Sequence, residues 1–137
     1  MTDTNDDHDP TYPLAETPDA VTTPEGVTLS EITLDAVADG SVEGDDIRIT
    51  PETLEKQAKI AEANGRPQVA RNFRRAAELS TVPDDRILEI YNALRPSGAE
   101  RDELLAIAEE LESEYGATIN AAHVREAVDI YEKRGLF

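Results

Sequence analysis

From Thr50 onward, apolar residues recur at steps of three and four. Leu54, Ala58, Ile60 and Ala61 define one face; Thr50 ahead of them is a good N-cap, Pro51 suits the first helical position, and Gly65 follows as a stop. From Pro67, a second stripe runs through Val69, Ala70, Phe73, Ala76 and Ala77, with Arg71, Arg74 and Arg75 on the other face. Asp84 and Asp85 put negative charge at a helix start, where the macrodipole favours it. Ile87, Leu88, Ile90, Tyr91 and Leu94 then form a broad apolar surface that ends at Arg95, before Pro96. Ser97 with Glu100 forms a capping-box pattern ahead of Leu104, Leu105, Ile107, Ala108, Leu111 and Tyr115, and Gly116 is the stop. A last helix is expected from near Asn120, carrying Val124, Ala127, Val128 and Tyr131 and closed by Gly135. Short turns between such stripes predict an all-α fold: an antiparallel helical bundle of about four main helices with an extended, partly disordered N-terminal arm.

The arm is expected over residues 1–28 and the helical domain over 29–137. Residues 1–28 hold Pro10, Pro13, Pro18 and Pro24, half of the eight prolines, and few large apolar side chains, so they cannot bury enough surface to fold alone. Tyr12-Pro13-Leu14-Ala15 is an apolar tetrad in this polar stretch, either a segment that docks on a neighbour or an incidental cluster. Thr33, Leu34, Val37 and Gly40 predict a short helix, and Ile47-Arg48-Ile49 a brief extended stretch.

Apolar residues make up 39% of the 137 and aromatics only 4%, which implies a core of Leu, Ile, Val and Ala. The net charge of -17 argues against nucleic acid, whose phosphates are bound by cations, and against anionic membrane surfaces. Without Cys there are neither disulfides nor thiolate metal sites, and no apolar run approaches the roughly 20 residues that span a bilayer. The acidic opening MTDTNDDHDP is unlike a signal peptide, so a cytoplasmic protein is expected.

Parts for chemistry are scarce. His8 and His123 lie far apart in sequence, so a two-imidazole metal site is not expected. The pairs Asp45-Asp46 and Asp84-Asp85 sit at helix starts or loops, where capping explains them better than general acid–base work, which needs a pKa raised by burial. Glu109, Glu110, Glu112 and Glu114 form the wet face of their helix, and the five serines lack a nucleophile-elbow context. No catalytic, cofactor-binding or metal-binding residue is assigned. Arg66, Arg71, Arg74, Arg75 and Arg86 form the one basic concentration, with internal pairing to Glu78 or Asp84 weighed against a role at an interface. The residues by themselves point to a helical interaction module.

The segment from Ile47 to Pro96 goes further. Arg48-Ile49-Thr50-Pro51-Glu52-Thr53-Leu54, Ala70-Arg71-Asn72-Phe73-Arg74-Arg75-Ala76-Ala77-Glu78-Leu79 and Val82-Pro83-Asp84-Asp85-Arg86-Ile87-Leu88-Glu89-Ile90-Tyr91 resemble the small-subunit family of cobalamin-dependent diol and glycerol dehydratases. The likeness extends over about residues 12–132, although His123 stands where an aromatic is usual. It implies a lyase complex that turns glycerol or a 1,2-diol into an aldehyde and water with adenosylcobalamin bound between a large and a medium subunit. This chain would be a non-catalytic partner packed on the large subunit, in a dimer of three-subunit units. The alternative is a helical adaptor or regulatory module of another complex.

Lysine is scarce: ten of the 13 bases are Arg, and the only lysines are Lys56, Lys59 and Lys133. An acid-rich, Lys-poor surface is one way to stay soluble in concentrated salt, which screens self-repulsion; the alternative is an ordinary acidic protein. Salt adaptation predicts a urea midpoint that rises between low and molar KCl, and an unchanged midpoint rules it out.

Overall fold

The computed structural model describes residues 11–137. Among them the six α-helices are α1 (Leu34–Ala38), α2 (Pro51–Ala63), α3 (Pro67–Leu79), α4 (Asp84–Ala93), α5 (Arg101–Tyr115) and α6 (Thr118–Arg134). Short 3-10 turns interleave the first half, and one isolated bridge joins Thr22 to Thr28. The expected all-α class holds. Two compact units divide the chain, one ending at Arg71 and the other running Asn72–Phe137.

In the first unit the sequence signals work as expected. Thr33 accepts the Ala36 N–H and starts α1, and Thr50 accepts the Thr53 N–H at 3.1 Å and starts α2 ahead of Pro51. Leu54, Ala58 and Ala61 are the buried face of α2. Ahead of α1, Leu29 N–H bonds to the Val21 carbonyl and Thr23 N–H to the Val27 carbonyl, closing a small turn at Gly26. Lys56 on α2 donates to the Ala20 carbonyl, and Leu14 is buried. Of the apolar tetrad, therefore, Leu14 is used internally while Tyr12 stays 71% exposed.

The second unit is built on α5 and α6. Gly116 takes a left-handed conformation (φ 61°), which lets the chain reverse at once into α6 and makes the two helices an antiparallel pair. Leu104 and Leu111 of α5 and Val124 and Val128 of α6 are its largest fully buried side chains, joined by Ile90 of α4 and Val82. Ion pairs follow the same order, with Arg101 at the start of α5 bonding Glu132 near the end of α6, and Arg125 bonding Glu112. Tyr131 donates its hydroxyl to the Leu94 carbonyl at 2.5 Å, tying α6 to the end of α4.

Two starts differ from expectation. The capping box of α5 lies at Glu100 and Glu103, whose carboxylate accepts the Glu100 N–H at 2.8 Å, rather than at Ser97. Ser97 has φ 60° and belongs to the reversal after α4, where Gly98 comes so close that a Cβ would stand 2.4 Å from the Asn92 carbonyl oxygen. The chain cannot begin a helix there. α6 begins at Thr118, two residues before Asn120, and its N-cap Ala117 offers no side-chain acceptor.

The acceptor comes from α3. Glu78 receives the N–H groups of Ile119 and Asn120, each at 2.9 Å, and the Asn120 side-chain amide at 2.7 Å. A carboxylate at this end also meets the positive pole of the α6 dipole. Glu78→Ala is expected to cost about 1–3 kcal/mol, the range for a lost cap that leaves partly buried donors unpaired. The check is a lower urea midpoint at unchanged slope; a wild-type midpoint would contradict the assignment.

Candidate interaction surface

Side chains singled out for chemistry are mostly engaged in structure. Asp84 and Asp85 lie in the first turn of α4, both exposed. Asp46 is only partly buried and accepts the Glu43 N–H at 2.7 Å, while exposed Asp45 pairs with Arg48 at 3.5 Å. None of the four is buried away from water. His123 is exposed on α6, and His8 lies outside the described residues. Among the described residues, no three His, Cys, Asp or Glu side chains gather as a metal site, and no helix is long and apolar enough to cross a membrane.

The acidic face of α5 is not entirely wet. Glu110 takes a two-pronged contact from Arg86 of α4, with Nε at 2.9 Å from Oε1, and the same guanidinium reaches Glu89 at 2.7 Å. Hydrogen bonding to Arg86 holds the Glu110 carboxyl below its ordinary value, burial opposing it, and Glu110 in turn raises the Arg86 pKa. Arg86 thus leaves the basic concentration as an internal strut between α4 and α5.

Arg75 is different. Its carbonyl accepts from the Asn120 side chain at 3.0 Å, but its buried Nε has no hydrogen-bond partner. Glu78, one turn further along α3, is already committed to α6. Arg75 lines an open groove of about 400 Å³ in the second unit, walled by Leu79, Ile87, Tyr91, Leu94 and Val124 with His123 and Arg95 also bordering it.

The rim of that groove carries the apolar surface expected on α4. Leu88 is 63% and Tyr91 64% exposed, and the Arg95 guanidinium lies 6.0 Å from the Tyr91 ring centre. Ile87 and Leu94 are partly buried against the core, and Ile90 is fully so. Phe73 on α3 is half-buried. In the first unit, Leu29, Ile47 and Ile49 border a smaller groove of about 210 Å³.

Sequence reasoning found the α4 face and missed the roles of Glu78 and Arg75. A signal for the first existed: Ala117 before Thr118 leaves α6 without a cap of its own, so an acceptor had to come from elsewhere.

Comparison with known proteins bears on what such a face is for. The profile of the dehydratase small subunit family matches residues 8–137. This chain belongs to the dehydratase small subunit family. The propanediol dehydratase small subunits of Citrobacter freundii and of Salmonella typhimurium are each 56% identical to it over 124 residues, 90% of this chain and 72% of theirs. In this member of the family, α4 presents a tyrosine and a leucine to solvent, and the tyrosine lines a groove with cationic borders.

Proposed function

We propose that the chain is the non-catalytic small subunit of an adenosylcobalamin-dependent diol dehydratase, a complex that converts 1,2-propanediol or glycerol to an aldehyde and water. The observation that carries the reading is the family match over residues 8–137 together with 56% identity to propanediol dehydratase small subunits. Its partners in this reading are a large catalytic subunit, on which it packs and which it stabilises, and a medium subunit, in a dimer of three-subunit units working in the cytoplasm. The exposed Leu88 and Tyr91 support it, since solvent-facing apolar side chains grouped on one helix mark contact surfaces.

Neither of two open grooves of the second unit, about 400 Å³ and about 540 Å³, is the enclosure a corrin cofactor needs. The open groove of about 400 Å³ is mostly apolar, with Arg75, Arg95, Asn120 and His123 as its polar borders, whereas a macrocycle with many amide arms needs a larger enclosure fenced by donors and acceptors. In this reading the cofactor sits on the partner subunits, and the role of this chain is to hold the assembly.

Co-expression with the large and medium subunits, followed by size exclusion and an aldehyde assay with added adenosylcobalamin, tests the reading. We expect the three chains to co-elute, and omission of this one to lower recovered activity on 1,2-propanediol several-fold. Undiminished activity and an unchanged elution volume without it would refute the role.

A further inference from the structure

We propose that the groove beside Arg75, Tyr91 and Arg95 seats an acidic, apolar segment of the large subunit: an aliphatic or aromatic side chain with an Asp or Glu close to it in sequence. This rests on the subunit reading above and specifies which surface docks and what it recognises.

Charge is the first argument. The chain has 30 acidic residues against 13 basic ones, yet no Asp or Glu lines this groove. Its charged borders are two guanidiniums, Arg75 and Arg95, with the imidazole of His123 nearby. On a surface otherwise so acidic, a carboxylate-free concavity bordered by cations is the place that complements a partner's acid.

The second argument is an unmet donor. The Arg75 Nε is buried without an acceptor, and the carboxylate nearest in sequence on its helix, Glu78, already accepts three hydrogen bonds from Ile119 and Asn120. A buried N–H of a charged group lacks an internal solution here, and a carboxylate entering from outside provides one with the strength of a charge-assisted bond.

The third is the apolar content. Tyr91 and Leu88 expose most of their surface on the adjoining helix, and Leu79, Ile87, Leu94 and Val124 form walls for a nonpolar side chain. About 400 Å³ accommodates one or two side chains of a partner segment. Aromatic and arginine residues around an apolar pocket are the combination that dominates binding energy at protein interfaces. The smaller groove of the first unit has apolar walls too, but Thr22, Thr23 and Thr53 border it and its guanidinium, Arg48, is already paired with Asp45.

Assembly of the co-expressed three-subunit complex tests the proposal, with affinity read by titrating labelled chain onto the other two subunits. Arg95→Glu and Tyr91→Ser are each expected to weaken binding by roughly tenfold or more, and Arg75→Gln to weaken it less but measurably. Each variant should keep wild-type helical circular dichroism. Ile47→Ser, in the first unit, should stay within about twofold. A photo-cross-linking residue replacing Leu88 should capture a large-subunit peptide with an Asp or Glu near the attachment point. Wild-type affinity in Arg95→Glu and Tyr91→Ser would overturn the proposal. So would a cross-link to a peptide without carboxylates, to the medium subunit, or to a second copy of this chain. If the wild-type chain itself fails to join the other subunits, the subunit reading falls first, and that result is distinct from a variant failing against a competent wild type.

Discussion

One carboxylate decides the layout of the second unit. Helix α6 starts on Ala117 with no cap of its own, and Glu78 of α3 accepts two of its first N–H groups. The packed α5–α6 pair fixes where that helix start lies, so the hydrogen bonds also fix the last turns of α3. Arg75, one turn earlier, is thereby held at the wall of the groove, and Asn120 is held from both sides by Glu78 and by the Arg75 carbonyl. The same bonds take the nearest acid away from Arg75. Structure and candidate binding site are in this sense two results of a single contact.

The remaining elements follow from ordinary packing. A core poor in aromatic residues is filled by Leu104, Leu111, Val124 and Val128, with alanines at Ala108, Ala117 and Ala121 allowing close approach. Arg86 braces α4 against α5 through Glu110, and Tyr131 secures the end of α4 from α6. With α4 fixed at Ile90 and at both ends, Leu88 and Tyr91 have no internal surface to cover. Their exposure is a consequence of how the helix is anchored, which makes them available to another chain.

Much of this was legible in the sequence where the information is local. Thr50-Pro51 with Gly65, and the glycines at 116 and 135, mark helix ends because caps and left-handed turns require those residue types at those places. The α5 stripe and the α4 face were readable from spacing alone. The start of α5 was misplaced because Ser97 looks like a cap, whereas the reversal at Gly98 is forced by carbonyl groups of α4 that sequence spacing does not reveal. Glu78 and the Arg86–Glu110 pair, separated by 24 to 42 residues, needed the fold, since nothing local distinguishes these acids from solvated ones. Leu14 likewise lay in a stretch whose composition suggested an arm, yet it is buried.

Family membership says what kind of assembly the chain serves, while the geometry says which of its faces is unfinished. These converge on α4, where an apolar rim, a cation-bordered groove and an unmatched guanidinium donor lie together. The most direct measurement is hydroxyl-radical footprinting of Tyr91, 64% exposed in this chain alone, before and after assembly with the proposed large and medium subunits. The account expects its oxidation rate to fall several-fold in the complex; a rate unchanged on assembly would contradict it.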